Sequence, residues 1–163
     1  MDICAGANAG VYMTDIKLNY IDIGGMEFPI YCDLNVLEKA QEEFESLTRF
    51  ERELIGLELV RDADGNPVLN EDGTIKKKEG EPKIKALSFA LREMVREGRK
   101  IEERQTGEEP VDISEDELIE LCDIGYRELS FKLHQEFNRC FEAKKKKKVT
   151  KTKKTNPKTN TTS

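Results

Sequence analysis

The sequence predicts an α+β fold that is mainly α. It expects an N-terminal β-hairpin packed on a small bundle of amphipathic helices, an exposed hairpin insertion, and a disordered basic C-terminal tail. Three observations carry that expectation. A run of alternating apolar and polar residues turns back on itself at Gly24-Gly25. Later stretches repeat apolar residues every three or four positions, the period of a helix with one buried face. From Lys144 to the end there are nine Lys, no acid, and Val149 as the one apolar residue, so that segment has nothing to bury. The chain therefore divides into a loose extension at 1–15, a single domain at 16–143 with the insertion at 58–82, and the tail at 144–163.

Taken in order, the first dozen residues are small, Gly/Ala-rich and without periodicity. Residues 17–32 read as the hairpin: Leu18, Tyr20 and Asp22 alternate with Asn19, Ile21 and Ile23 before the Gly-Gly turn. Pro29 on the returning strand has no N–H for a ladder, which places it on an edge. DLNVLEKAQEEFESL follows as a helix, with Asp33 or Asn35 as its cap and Leu37, Ala40, Phe44 and Leu47 as its buried stripe. A further helical stretch, TRFERELIGLEL, either continues it or starts anew. The insertion then carries two Asp-Gly turns, Asp64-Gly65 and Asp72-Gly73, around short strand-like runs. Pro82 suits the first turn of the next helix, whose seam runs Ile84, Leu87, Leu91, Met94, Gly98 and Ile101, with Gly98 a candidate interruption. Ser114 and Glu117 form a capping box, with Ile113 and Leu118 as the hydrophobic staple. The last stripe runs Leu118, Cys122, Tyr126, Leu129, Leu133, Phe137, Cys140 and Phe141, one helix broken or bent near 123–125. Leu87, Leu91 and Met94, with Leu129, Leu133 and Phe137, are the candidate residues for either the core or a partner-binding stripe. The two faces are expected to pack on each other in the free protein or in its oligomer.

The formal net charge of −6 conceals an acidic body with a basic end. Setting aside the nine tail Lys leaves 18 basic against 33 acidic residues, a net of −15 over 1–143. Phosphate contacts need clustered Lys and Arg, so nucleic acid is not an expected partner of the body. Cys4, Cys32, Cys122 and Cys140 show no metal-like spacing and read as small buried hydrophobes of a reducing compartment. No basic start followed by an apolar run marks a signal peptide, and no apolar stretch has the roughly 20 residues needed to span a bilayer. No membrane partner and a cytosolic location are expected. Asp62, Asp64 and Asn66 imitate the start of a calcium-binding EF-hand loop, but Pro67 and Gly73 stand where that loop needs Gly and Glu. His134, the one histidine, has no nucleophile or carboxylate motif beside it and is expected at a surface or boundary. No catalytic, metal or cofactor site is expected, and the chain reads as a binding protein without enzymatic activity.

The order of features resembles the tail assembly chaperones of long-tailed bacteriophages and their prophages. YIDIGGMEFPIYCDLNVLEKAQEEF carries the resemblance, with KALSFALREMVREGRK and DISEDELIELCDIG downstream; the match spans roughly 16–143, and the insertion departs from it. The resemblance implies a protein that binds the tape measure protein, keeps it soluble during tail morphogenesis in the host cytoplasm, and helps recruit tail tube subunits. It also implies absence from the finished virion. Many members have a longer form, made by programmed −1 frameshifting, whose added domain binds the tail tube protein. The Lys run at 144–148, encoded by an A-rich stretch, is what such a slip site leaves in the unshifted product. A homo-oligomer along the client is compatible with this role. The alternative, from another class, is a small nucleic-acid-associated regulatory protein that uses its basic tail.

Overall fold

The computed structural model describes residues 16–155, with side chains through Glu142. The expected loose extension at 1–15 lies outside the described residues, as do 156–163 and the side chains of the tail. Strands β1 (Asn19–Ile23) and β2 (Met26–Ile30) form the predicted antiparallel hairpin. Gly24 and Gly25 have φ of 59° and 80°, the left-handed pair that a two-residue turn between twisted strands requires. Ile21, Ile23, Phe28 and Ile30 point inward and are buried.

Asp33 caps α1 (Leu34–Phe44), its carboxylate accepting the Val36 N–H at 3.1 Å. The helix does not continue into the next stretch. Glu45 takes a φ of 71°, and Ser46 then caps a separate helix α2 (Leu47–Ile55), its Oγ accepting the Arg49 N–H at 3.0 Å. The expectation that Leu57–Leu59 belongs to that helix is also corrected. Gly56 stops α2 in the left-handed conformation, its N–H bonded to the Arg52 carbonyl, and Leu57–Leu59 becomes strand β3. β3 pairs antiparallel with β4 (Lys77–Glu79), and the chain between them folds into two successive tight turns.

Helix α3 (Ile84–Thr106) is the backbone of the fold. It starts after Lys83, so Pro82 precedes the cap instead of sitting in the first turn, and Ile84 is 62% exposed instead of on the seam. Nor does Gly98 interrupt it. A Cβ there would stand 2.4 Å from the Pro29 carbonyl oxygen, so the glycine lets helix and strand touch. Helix α4 (Glu115–Leu121) carries the predicted cap: Ser114 Oγ accepts the Glu117 N–H at 3.1 Å, and Leu118 is buried. After a break at 122–125 comes α5 (Tyr126–Thr155), whose backbone runs past 143 with no Gly or Pro to stop it. Of the cysteines expected to be buried, Cys32 is, whereas Cys122 and Cys140, on separate segments either side of the break, are half-buried.

One hydrophobic core joins the hairpin, α1, α2, α3, α4 and α5. Within it Phe44, Phe50 and Phe137, with the half-buried Phe89 packed against them, meet edge to face or tilted, with ring centroids 5.1–5.7 Å apart.

Candidate protein-binding surface

The six candidate residues all lie inside. Leu87, Leu91 and Met94 of α3 and Leu129, Leu133 and Phe137 of α5 are buried in the same core cluster. Their periodicity belongs to the core, which leaves no part of that stripe for a partner in this fold. A partner-facing surface has to be sought among apolar side chains that the core leaves out.

Phe131 is the clearest of these, 63% exposed in the second turn of α5. It stands two positions from both Leu129 and Leu133, so the helical period turns it away from the core. Arg127, Phe131 and His134 recur at four- and three-residue steps on that outer face. With Ile55, Pro82 and Ser130 they line a groove of about 320 Å³ where the end of α2 and the start of α3 meet α5. Four contacts hold its walls. Ser130 Oγ donates to the Leu54 carbonyl at 2.6 Å, ending α2 against α5. His134 Nε2 lies 2.8 Å from Glu51 Oε2, and its ring stacks on Phe137 at 6.2 Å. Arg127 lies over the Tyr126 ring at 5.3 Å. The result is a groove of mixed character, with Ile55, Pro82 and Phe131 as its apolar side and Arg127, Ser130 and His134 as its polar side. Such a groove suits the apolar face of an amphipathic segment. Phe131 lies off the apolar stripe, so periodicity does not mark it; its signal in the sequence is an aromatic on the polar side of a helix.

Several charged groups are engaged in structure. Glu136, 1% exposed, accepts from Cys32 N–H at 2.9 Å and from Asn19 Nδ2 at 2.8 Å, and forms an ion pair with Arg139. Burial pushes the Cys32 thiol far above its usual range, so it stays protonated and unreactive. Asp33 is raised to about 6, by burial first and then by sharing a hydrogen bond with Glu97. Glu97 is held low: burial opposes its ionisation, but Lys100, Asp33 and Asn35 outweigh it. This pair joins the start of α1 to the middle of α3 and has no nucleophile beside it. His134 sits at a boundary, as expected, with its side chain 25% exposed. In the insertion Asp62 Oδ1 accepts the N–H groups of Asp64 and Asn66, so it is already used by the turn.

Among the described residues no three His, Cys, Asp or Glu side chains gather as metal ligands, and no helix is long and apolar enough to cross a membrane. Compared with protein-family models, with curated proteins and with solved structures, the chain matches none.

Proposed function

We propose that this chain is a non-enzymatic tail assembly chaperone, which holds an apolar helical segment of the tape measure protein in the groove beside Phe131. The observation that supports it most is that exposed aromatic. A Phe left largely in water beside Ile55 and Pro82 adds little to the core, and burying its exposed part against a client gains roughly 1–2 kcal/mol. The resemblance of the Gly-Gly hairpin, Pro29 and the Asp33-Leu34-Asn35 helix start to tail assembly chaperones supplies the client's identity. In this reading the acidic body keeps many copies soluble along one client in the host cytoplasm. Tail tube subunits are recruited through a longer frameshifted form, and neither form remains in the virion.

Co-expression with a tape measure fragment tests this. The chain should keep the fragment soluble and co-purify with it, whereas Phe131→Asp should leave the fragment insoluble while melting like the parent. No gain in solubility with the parent chain would overturn the chaperone reading. Undiminished capture by Phe131→Asp would overturn the assignment of the groove.

A further inference from the structure

The hairpin has two outer edges, and among the described residues only one is covered. With a two-residue turn, Ile23 and Met26 form a hydrogen-bonded pair, and so, by alternation, do Ile21 with Phe28 and Asn19 with Ile30. The backbone groups of Glu27, Pro29 and Tyr31 therefore face outward from β2, toward α3. There the Tyr31 N–H donates to the Met94 carbonyl at 3.0 Å, and Pro29 has no N–H to strand against Gly98. On β1 the outward groups are those of Tyr20, Asp22 and Gly24. Gly24 N–H is taken by Asp123 Oδ1 at 3.1 Å. Among the described residues the N–H groups of Tyr20 and Asp22 have no partner, and both residues are exposed. Among the described residues no strand or helix pairs with this edge, and β1, NYIDI, contains no Pro, no Lys and no bulge, with Asp22 as its one charge.

We propose that β1 pairs antiparallel with β1 of a second copy about a two-fold axis through Ile21, joining two hairpins into one four-stranded sheet. The strand has five residues, and only this register overlaps all of them. Tyr20 then stands opposite Asp22 of the second copy, twice, so each outward N–H meets an outward carbonyl. The register one pair toward the turn would set Asp22 opposite Asp22 and runs into Asp123, a like-charge contact that strands avoid. In the proposed register Lys17 of the second copy passes beside Asp123, matching charge at each end of the ladder. The interface is independent of the groove at Phe131 and leaves it open on both copies.

Hydrogen exchange on the full chain, with sedimentation velocity over the same concentrations, tests the pairing. A concentration-dependent dimer should slow exchange at the Tyr20 and Asp22 amides, while Ile21 and Ile23 stay protected throughout. Asp22→Pro removes one outward donor from a position that the hairpin's own ladder does not use. It should weaken the dimer about tenfold or more with little change in melting, and Asp22→Asn should not. The proposal is overturned by a monomer at every concentration, or by a dimer whose Tyr20 and Asp22 amides exchange freely. Slow exchange of these amides in the monomer would also overturn it, since another part of the chain would then cover the edge.

Discussion

Gly98 stands deep inside a helix, where glycine costs about 1 kcal/mol relative to alanine, so its presence needs a cause. The cause is the backbone of β2: a Cβ at this position would lie 2.4 Å from the Pro29 oxygen and 2.6 Å from its carbonyl carbon. Backbone cannot swing aside as a flexible side-chain end does. The overpacking loss, about 1–3 kcal/mol, therefore exceeds the gain in helix propensity, and Gly98→Ala should lower the urea midpoint. Asp33 offers a test with a pH axis. Its folded pKa, about 6, lies above the ordinary carboxylate value of 3.8. A group shifted in this direction contributes stability that is fully present below pH 4 and lost as pH rises through 6. Glu97, shifted the other way, contributes stability above its ordinary range that is lost in acid. An amide in place of the Asp33 carboxylate would still accept the Val36 N–H while removing the clash of two carboxylates. Asp33→Asn should therefore melt several degrees higher than the parent at pH 7.5 and no higher at pH 4. An equal gain at both pH values would mean that the pair does not share a proton.

Among the elements, the insertion is the part most separable from the rest. Its two turns repeat with a period of eight: Asp62 N–H donates to the Asn66 carbonyl as Asn70 N–H does to Thr74, and Gly65 N–H donates to Asp62 as Gly73 N–H does to Asn70. Val60 and Val68 link the turns, and nearly every side chain from 61 to 79 is exposed. The edge of this unit is closer than the sequence suggested. Gly80 N–H bonds to the Gly56 carbonyl at 2.6 Å, Lys83 N–H to Glu53 at 2.8 Å, and Pro82 is buried, so 80–83 belongs to the body. Replacing 61–75 with a short Gly/Ser linker should leave the helical circular dichroism and melting midpoint nearly unchanged, whereas a cut extended through Pro82 should destabilise. Loss of the fold with the shorter cut would put the insertion in the core. The elements were legible where their signals are local: the Gly-Gly turn, the Asp33 and Ser114 caps, the seams of α3 and α5, and the double Asp-Gly insertion. Whether the chain breaks near Glu45–Ser46 stayed open and the strand after Gly56 was missed, because the apolar stripe runs through both and only the caps betray them. Gly98 and Phe131 were misjudged or missed for another reason, since each takes its meaning from a neighbour distant in the chain.

At the scale of the molecule, the first and last elements share one interior, and Glu136 is where they are tied. Its carboxylate, buried in α5, reaches Asn19 at the start of β1 and the Cys32 N–H just after β2. Its ion-pair partner Arg139 lies 4.5 Å above the Tyr31 ring. At the hairpin's opposite end Gly24 is bonded to Asp123, and Tyr31, just after β2, is bonded to Met94 of α3. Held at both ends and one edge by residues far away in sequence, the hairpin has no stability of its own to fall back on. Hairpin and helices should therefore unfold as one unit. Glu136→Ala leaves a buried N–H without an acceptor and a cation without its partner, a change that costs about 3–5 kcal/mol when a buried pair is broken. Glu136→Gln keeps an acceptor and should cost less. In urea, far-ultraviolet circular dichroism and tyrosine fluorescence should report one coincident transition for Glu136→Ala, at a lower midpoint with the slope unchanged. If instead the amides of β1 and β2 exchange freely while α5 stays protected, the hairpin is a separate unit that detaches first, and Glu136 anchors it without holding the rest together.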